Sequence, residues 1–146
     1  MNIGFVGFSD ESKYDEVLAR RVVDTIFDQF ACNEKFVNKT INIITGGTNQ
    51  GIPRLVYEKA ALENQKFGPY YHLVGIMAKE GYLCTLYPCD EIHAIGEHFG
   101  DESEFFIDSI DCLYKIGGGK QSEKEYEMAK QKGIPCTEIP AKYIIR

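Results

Sequence analysis

The sequence predicts an α/β protein, a three-layer Rossmann-like fold with a parallel sheet between helices. Three observations carry that prediction. Short apolar runs alternate with longer stretches of helical periodicity along the whole chain. Three of the apolar runs pass into glycine just before a helix start. The length of 146 residues suits one domain, so residues 1–146 are read as a single Rossmann-like domain with no linker.

The elements follow in order. Ile3–Gly7 is apolar and ends in glycine, a buried strand. Ser12-Lys13-Tyr14-Asp15 has the residue types of a helix start. Tyr14, Leu18, Val22, Ile26 and Phe30, flanked by Val17, Val23 and Phe27, then form one apolar helical face. Asn33–Lys39 is polar and reads as a loop. Ile41–Thr45 is the second strand, followed by Gly46-Gly47-Thr48-Asn49-Gln50-Gly51, and Pro53 suits the first turn of the next helix. Ile52, Leu55, Val56, Ala60 and Leu62 supply the inner face of that helix. Leu73–Met77 is the third strand. Glu80–Gly100 reads as an irregular excursion, and Glu104–Ile110 as a short helix. Cys112–Ile116 is the fourth strand, running into Gly117-Gly118-Gly119. Ser122-Glu123-Lys124-Glu125 opens the last long helix, which Gly133 stops ahead of Pro135. Cys136–Ile139 is a fifth strand. Right-handed crossovers favour the order 3-2-1-4-5, with the first and fourth strands adjacent.

Composition narrows the function classes. With 44% hydrophobic and 26% charged residues the chain is an ordinary globule rather than a disordered one. Sixteen basic against 22 acidic residues give a net charge of −6, which argues against a nucleic-acid binder. No apolar run approaches the ~18 residues of a membrane span. Five cysteines at irregular spacing form no disulfide framework, and Met1-Asn2 leads straight into a strand, so a reduced, cytoplasmic setting is expected.

The strand order predicts where chemistry sits. Ligands bind at the carboxyl ends of the strands, where the order reverses. Three loops meet there: Gly7-Phe8-Ser9, Gly46–Gly51 with Ile52, and Gly117–Ser122. Glycine admits close approach of backbone amides to an anion, and the two helix N-termini behind the loops add partial positive charge. The candidate ligand-binding residues are therefore Gly7, Phe8, Ser9, Gly46, Gly47, Thr48, Gly51, Ile52, Gly117, Gly118, Gly119, Lys120, Gln121, Ser122 and Glu125. Common nucleotide motifs do not fit. No G-x-G-x-x-G follows the first strand, and Gly119-Lys120-Gln121-Ser122 lacks the P-loop spacing.

Thr45-Gly46-Gly47-Thr48-x-x-Gly51-Ile52-Pro53 and Ile116-Gly117-Gly118-Gly119-Lys120-Gln121-Ser122-x-x-Glu125 resemble the paired signatures of the SLOG superfamily. That group includes the LONELY GUY phosphoribohydrolases, often described as lysine decarboxylase-like, and molybdenum-cofactor carrier proteins. The resemblance spans nearly the whole chain. It implies a Rossmann-like fold that binds nucleotides or nucleotide-derived ligands, often as a homodimer, with Glu125 as the acid for N-glycosidic cleavage. The chain departs from the second motif at Ile116 or Gly117, where the family has proline, at Gln121, where it has glycine, and at Ser122, where it has threonine. The enzymes' Arg-Lys pair falls on Glu102 and Ser103 here, and no Arg occurs between Arg54 and Arg146. A phosphate would then rest on amides and on Lys120 or Lys115.

Several residues carry two readings. Ser122-x-x-Glu125 is also a helix capping box. Ser9 and Thr48 hydroxyls either donate to a ligand or stabilise turns. Asp10 and Glu11 sit at the same rim and would repel phosphate, so they are placed to accept ribose hydroxyls instead. Cys84-x4-Cys89-x3-His93-x4-His98 has metal-ligand types, but its spacing matches no known zinc framework, and no metal is assigned. Tyr70, Tyr71, Tyr82 and Tyr87 are candidates to stack on a base, and Cys112 is read as an inert strand thiol. The expected function is binding of a nucleotide or nucleotide-derived small molecule. No cofactor is assigned beyond that ligand. The alternatives are a nucleoside 5′-monophosphate phosphoribohydrolase using Glu125 and a molybdenum-cofactor carrier.

Overall fold

The computed structural model describes every residue of 1–146 except 34, 35, 37 and 38. Ten main elements follow one another: β1 (Asn2–Gly7), α1 (Glu16–Cys32), β2 (Ile41–Thr45), α2 (Gly51–Phe67), β3 (Tyr71–Met77), β4 (Glu91–Ala94), α3 (Ser103–Ser109), β5 (Cys112–Ile116), α4 (Lys120–Gln131) and β6 (Cys136–Ile139). Short 3-10 turns occupy Glu11–Lys13, Lys79–Leu83 and Ala141–Tyr143. Most of the expected Asn33–Lys39 loop lies outside the described residues.

The strands form one parallel sheet in the order β4-β3-β2-β1-β5-β6. This corrects the expected order 3-2-1-4-5, which had five strands. The sixth is β4, inside the stretch read as irregular. Asp90 starts it: its N–H donates to the Leu73 carbonyl at 2.9 Å and its carboxylate accepts from Leu73 N at 2.7 Å. Val74 then pairs with Glu91 and Met77 with Ala94. As an edge strand β4 keeps Glu91 and His93 exposed, so it lacks the continuous apolar run that marks a central strand.

Two apolar cores hold the layers together. Phe5, Ile43 and Ile116 pack under α1 and α2 through Val23, Phe27, Phe30, Leu55 and Tyr57. On the other face Val6, Ile44 and Leu113 pack under α3 and α4 through Phe106, Ile107 and Ala129.

The helices correct several details. Asp15, rather than Ser12, caps α1 by accepting from Leu18 N at 3.0 Å, because Asp10 takes the Ser12 amide and hydroxyl into the preceding turn. The buried stripe of α1 is Ala19, Val23, Ile26, Phe27 and Phe30, and Val17 is exposed. In α2 Tyr57 is buried and Leu62 is exposed. In α4 the helix starts two residues earlier than read, and Gly133 ends it with φ 75° as expected.

Candidate functional site

A cavity of about 640 Å³ opens at the carboxyl ends of β1, β2 and β5. Its wall includes Gly7, Phe8 and Ser9 after β1, Gly46 and Thr48 after β2, and Gly118, Gly119, Lys120, Gln121, Ser122 and Glu125 around the start of α4. The three loops thus come together where the strand order reverses, between β1 and β5. Side chains lock them. Gln50 Nε2 donates to the Ser9 carbonyl at 2.9 Å, and Ser122 Oγ donates to the Gly7 carbonyl at 3.2 Å.

Four predicted residues stand behind the cavity wall instead of on it. Gly47 N donates to Tyr57 Oη at 3.1 Å and is turned toward β3 and β4. Gly51 lies under Phe8 and Ser9, and a Cβ there would sit 2.3 Å from the Phe8 carbonyl oxygen. Ile52 is fully buried core. Gly117, with φ 73°, makes room for the Phe8 ring, which a Cβ would approach to 2.5 Å. Their sequence signal was genuine but reports close packing.

The two helix N-termini differ. At α2 the first amides are already used: Gly51 N donates to Glu11 Oε1 at 3.1 Å and Ile52 N to the Phe8 carbonyl at 2.8 Å. Glu11 also binds Arg54 Nε at 3.0 Å, so it caps α2 rather than serving the rim. At α4 the cap is Gly119, which offers no side chain, and among the described residues no side-chain cap bonds to the first turn. The partial positive charge is therefore available at α4.

The capping-box reading of Ser122 and Glu125 fails, because both lie inside α4 and Ser122 reaches Gly7 instead. Glu125 is 6% exposed and reaches the cavity. Burial pushes its carboxyl up to about 7; the Glu102 charge adds to the rise, while the Ser103 hydroxyl and the Gln121 amide offset part of it. Glu102 lines the same cavity at 4% exposure, and its Oε1 accepts from Gln121 Nε2 at 2.6 Å. Neither glutamate forms an ion pair among the described residues.

Lys120 and Lys13 are cations on the wall, and Asp10 is there with them. Lys115 is not. It is 4% exposed, faces α4 and β6, and binds Glu138 at 2.7 Å and Glu123 at 3.0 Å. Burial pulls its ammonium pKa down, and those two carboxylates more than reverse the effect.

Aromatic placement also differs from expectation. Tyr71 packs edge-on against Phe27, Tyr87 stacks on Tyr57 at 5.1 Å, and neither these nor Tyr70 and Tyr82 line the cavity. Phe99 and Phe106 do, and Phe99 is 54% exposed. The segment before β4 forms part of the wall. Thr48 bridges to Leu86, Asn49 N donates to the Thr85 carbonyl at 2.8 Å, and Cys84 lines the cavity. Cys89 is drawn instead toward Tyr57, with burial pushing its thiol up to about 11. His93 faces Glu91 and Phe105, and His98 binds Glu80 at 3.1 Å. Cys84, Cys89, His93 and His98 are thus dispersed, and no group of three or more His, Cys, Asp or Glu among the described residues is placed to hold a metal ion. Cys112 has its thiol raised to about 11 by burial. Sequence reasoning missed Gln50, Phe99 and Phe106 at the cavity; the polar Gln50 before the α2 glycine was the one available signal.

The protein resembles the X-ray structure of TM1055, a structural genomics target. The TM-score is 0.60 at 19% identity, covering 92% of this chain and 71% of that one. The likeness shows a Rossmann-like α/β fold. No family model and no curated protein matches the sequence. No helix among the described residues is long and apolar enough to cross a membrane.

Proposed function

We propose that the protein binds a nucleotide or a nucleotide-derived small molecule, with its phosphate on the first-turn amides of α4 and Lys120 beside it. The observation that carries this reading is that three loops, distant in sequence, line one cavity beside an uncapped helix N-terminus. Phe99 is the side chain placed to cover a base, and Asp10 to accept from ribose hydroxyls. The reading keeps the resemblance to SLOG proteins, and with it a cytoplasmic homodimer, which sedimentation measures.

A second reading is favoured by one feature, the Glu125 carboxyl titrating near 7. Such a group can give its proton to a departing base while the ribose centre takes on oxocarbenium character. Water then adds to the ribose C1′ and gives a proton to the Glu125 carboxylate, yielding free base and ribose 5-phosphate and restoring the acid. Molybdenum-cofactor carriage uses the same loops and has no comparable feature in its favour.

Thermal shift with AMP, CMP, GMP and UMP tests the binding reading. Gly46 and Gly118 are the positions to block. Neither has a left-handed backbone, and an added Cβ meets nothing within 4 Å at Gly46 and only the Phe8 ring at 3.8 Å at Gly118. Gly46→Val and Gly118→Val are expected to keep the unliganded melting temperature and lose the nucleotide-induced rise. Variants that keep the rise contradict the reading. Chromatography of the same mixtures detects free base; release abolished by Glu125→Ala establishes the hydrolase.

A further inference from the structure

The loop that carries Phe99 to the cavity is fastened by a side chain that does not line the cavity. Residues 95–101 follow β4, and the loop bends at two glycines with left-handed backbone, Gly96 at φ 75° and Gly100 at φ 103°. Asp101 braces it from within, its carboxylate accepting from Glu97 N at 3.0 Å and His98 N at 2.9 Å. Phe99 stands beyond those two bonds. It lines the cavity and is 54% exposed.

The first half of the loop runs beside the 3-10 turn Lys79–Leu83, which follows β3. Lys79 N donates to the Gly96 carbonyl at 3.0 Å, and Glu80 N to the Glu97 carbonyl at 3.2 Å. Lys79 Nζ pairs with Glu97 at 2.9 Å. These ties stop at Glu97. Past it, among the described residues, the Glu80 side chain makes the crossing alone. Its Oε1 accepts from Phe99 N at 3.0 Å and lies 3.1 Å from His98 Nδ1. One carboxylate oxygen thus gathers the loop tip onto the turn.

A tip left loose would have to be ordered each time a ligand used it, and that ordering subtracts from affinity. A tip fixed beforehand presents the Phe99 ring at no such cost. We propose that Glu80 is a positioning residue for Phe99: it holds the loop tip so that the ring stands at the cavity, where the base of a bound nucleotide covers the ring's exposed half. The identity of the ligand rests on the nucleotide reading; the fastening of the tip by Glu80 does not.

Calorimetry with AMP and with ribose 5-phosphate, which has no base, tests this. Wild type is expected to bind AMP more tightly than ribose 5-phosphate. Phe99→Ala is expected to weaken AMP binding about fivefold to a hundredfold, the range for loss of a base–aromatic contact. Glu80→Ala removes one hydrogen bond outside the cavity and is expected to weaken AMP binding about three- to tenfold, with ribose 5-phosphate binding unchanged. Glu80→Gln keeps an acceptor oxygen and is expected to recover most of the AMP affinity. Glu80→Ala with Phe99→Ala is expected to bind AMP as Phe99→Ala does, since no ring remains to be positioned. AMP affinity untouched in Glu80→Ala, equal losses for both ligands, or additive losses in the double variant overturn the proposal. So does a wild type that binds the two ligands equally.

Solvent exchange of the Phe99 amide proton reads the fastening without a ligand. It is expected to be faster in Glu80→Ala than in wild type, while the Glu97 and His98 amides, bonded to Asp101, keep their rates. An unchanged Phe99 rate overturns the proposal. A faster rate in a protein that binds neither AMP nor ribose 5-phosphate instead overturns the nucleotide reading.

Discussion

At the scale of single residues, the Glu125 carboxyl makes stability depend on pH. The folded protein holds this proton up to about pH 7, whereas a free glutamate releases it near 4.5. Between those values the native state binds more protons than the unfolded chain, so stability falls as pH rises through the window. Taken alone the cost at pH 8 is about 3 kcal/mol. Glu125→Gln is expected to be more stable than wild type at pH 8 in urea unfolding, with the difference shrinking toward pH 5. A constant difference at both pH values contradicts the buried, proton-holding carboxyl. Lys115 offers a contrasting test. Lys115→Met is expected to leave nucleotide-induced stabilisation intact, because that ammonium is engaged by Glu138 and Glu123 away from the cavity. Neither role was legible in the sequence. Ser122-x-x-Glu125 satisfies the capping pattern as spacing, and only the fold shows that α4 begins at Lys120 and turns both side chains inward.

At the scale of elements, Tyr57 joins three pieces that shape the cavity. Its hydroxyl donates to the Val74 carbonyl at 2.8 Å and accepts from Gly47 N at 3.1 Å, tying α2 to β3 and to the loop after β2. Tyr57→Phe removes the acceptor of the buried Gly47 amide and one donor to the Val74 carbonyl, and a loss of about 1–3 kcal/mol is expected by denaturant unfolding. A neutral substitution contradicts the bracing role. The central strands were legible because they are buried on both faces, and Cys112–Ile116 falls on the predicted residues. The edge strand β4 was not, because its outer residues are charged and its pairing depends on Asp90 binding back to Leu73. On α1 the predicted face packs on the core except for Val17, which fits the apolar period yet lies on the solvent side.

At the scale of the whole molecule, the parallel order places β1 beside β5 and leaves their carboxyl ends as the floor of one cavity. Glycines at the ends of strands reveal that meeting in the sequence, since strand order follows from alternation and handedness. They do not reveal which glycines face a ligand. Gly46 and Gly118 line the cavity, while Gly51 and Gly117 are small so that Phe8 and its neighbours pack against them. Nor did the sequence show that Glu11 fills the N-terminus of α2, leaving α4 as the open one. The account therefore predicts a ligand that touches all three loops but is anchored at α4.

Amide chemical-shift mapping of the 15N-labelled protein titrated with AMP tests this most directly. Shifts that grow together at Ser9, Gly46, Thr48 and Gly118 through Ser122, and are largest at the start of α4, are the predicted result. Perturbations confined to one loop, or centred on the start of α2, would contradict it.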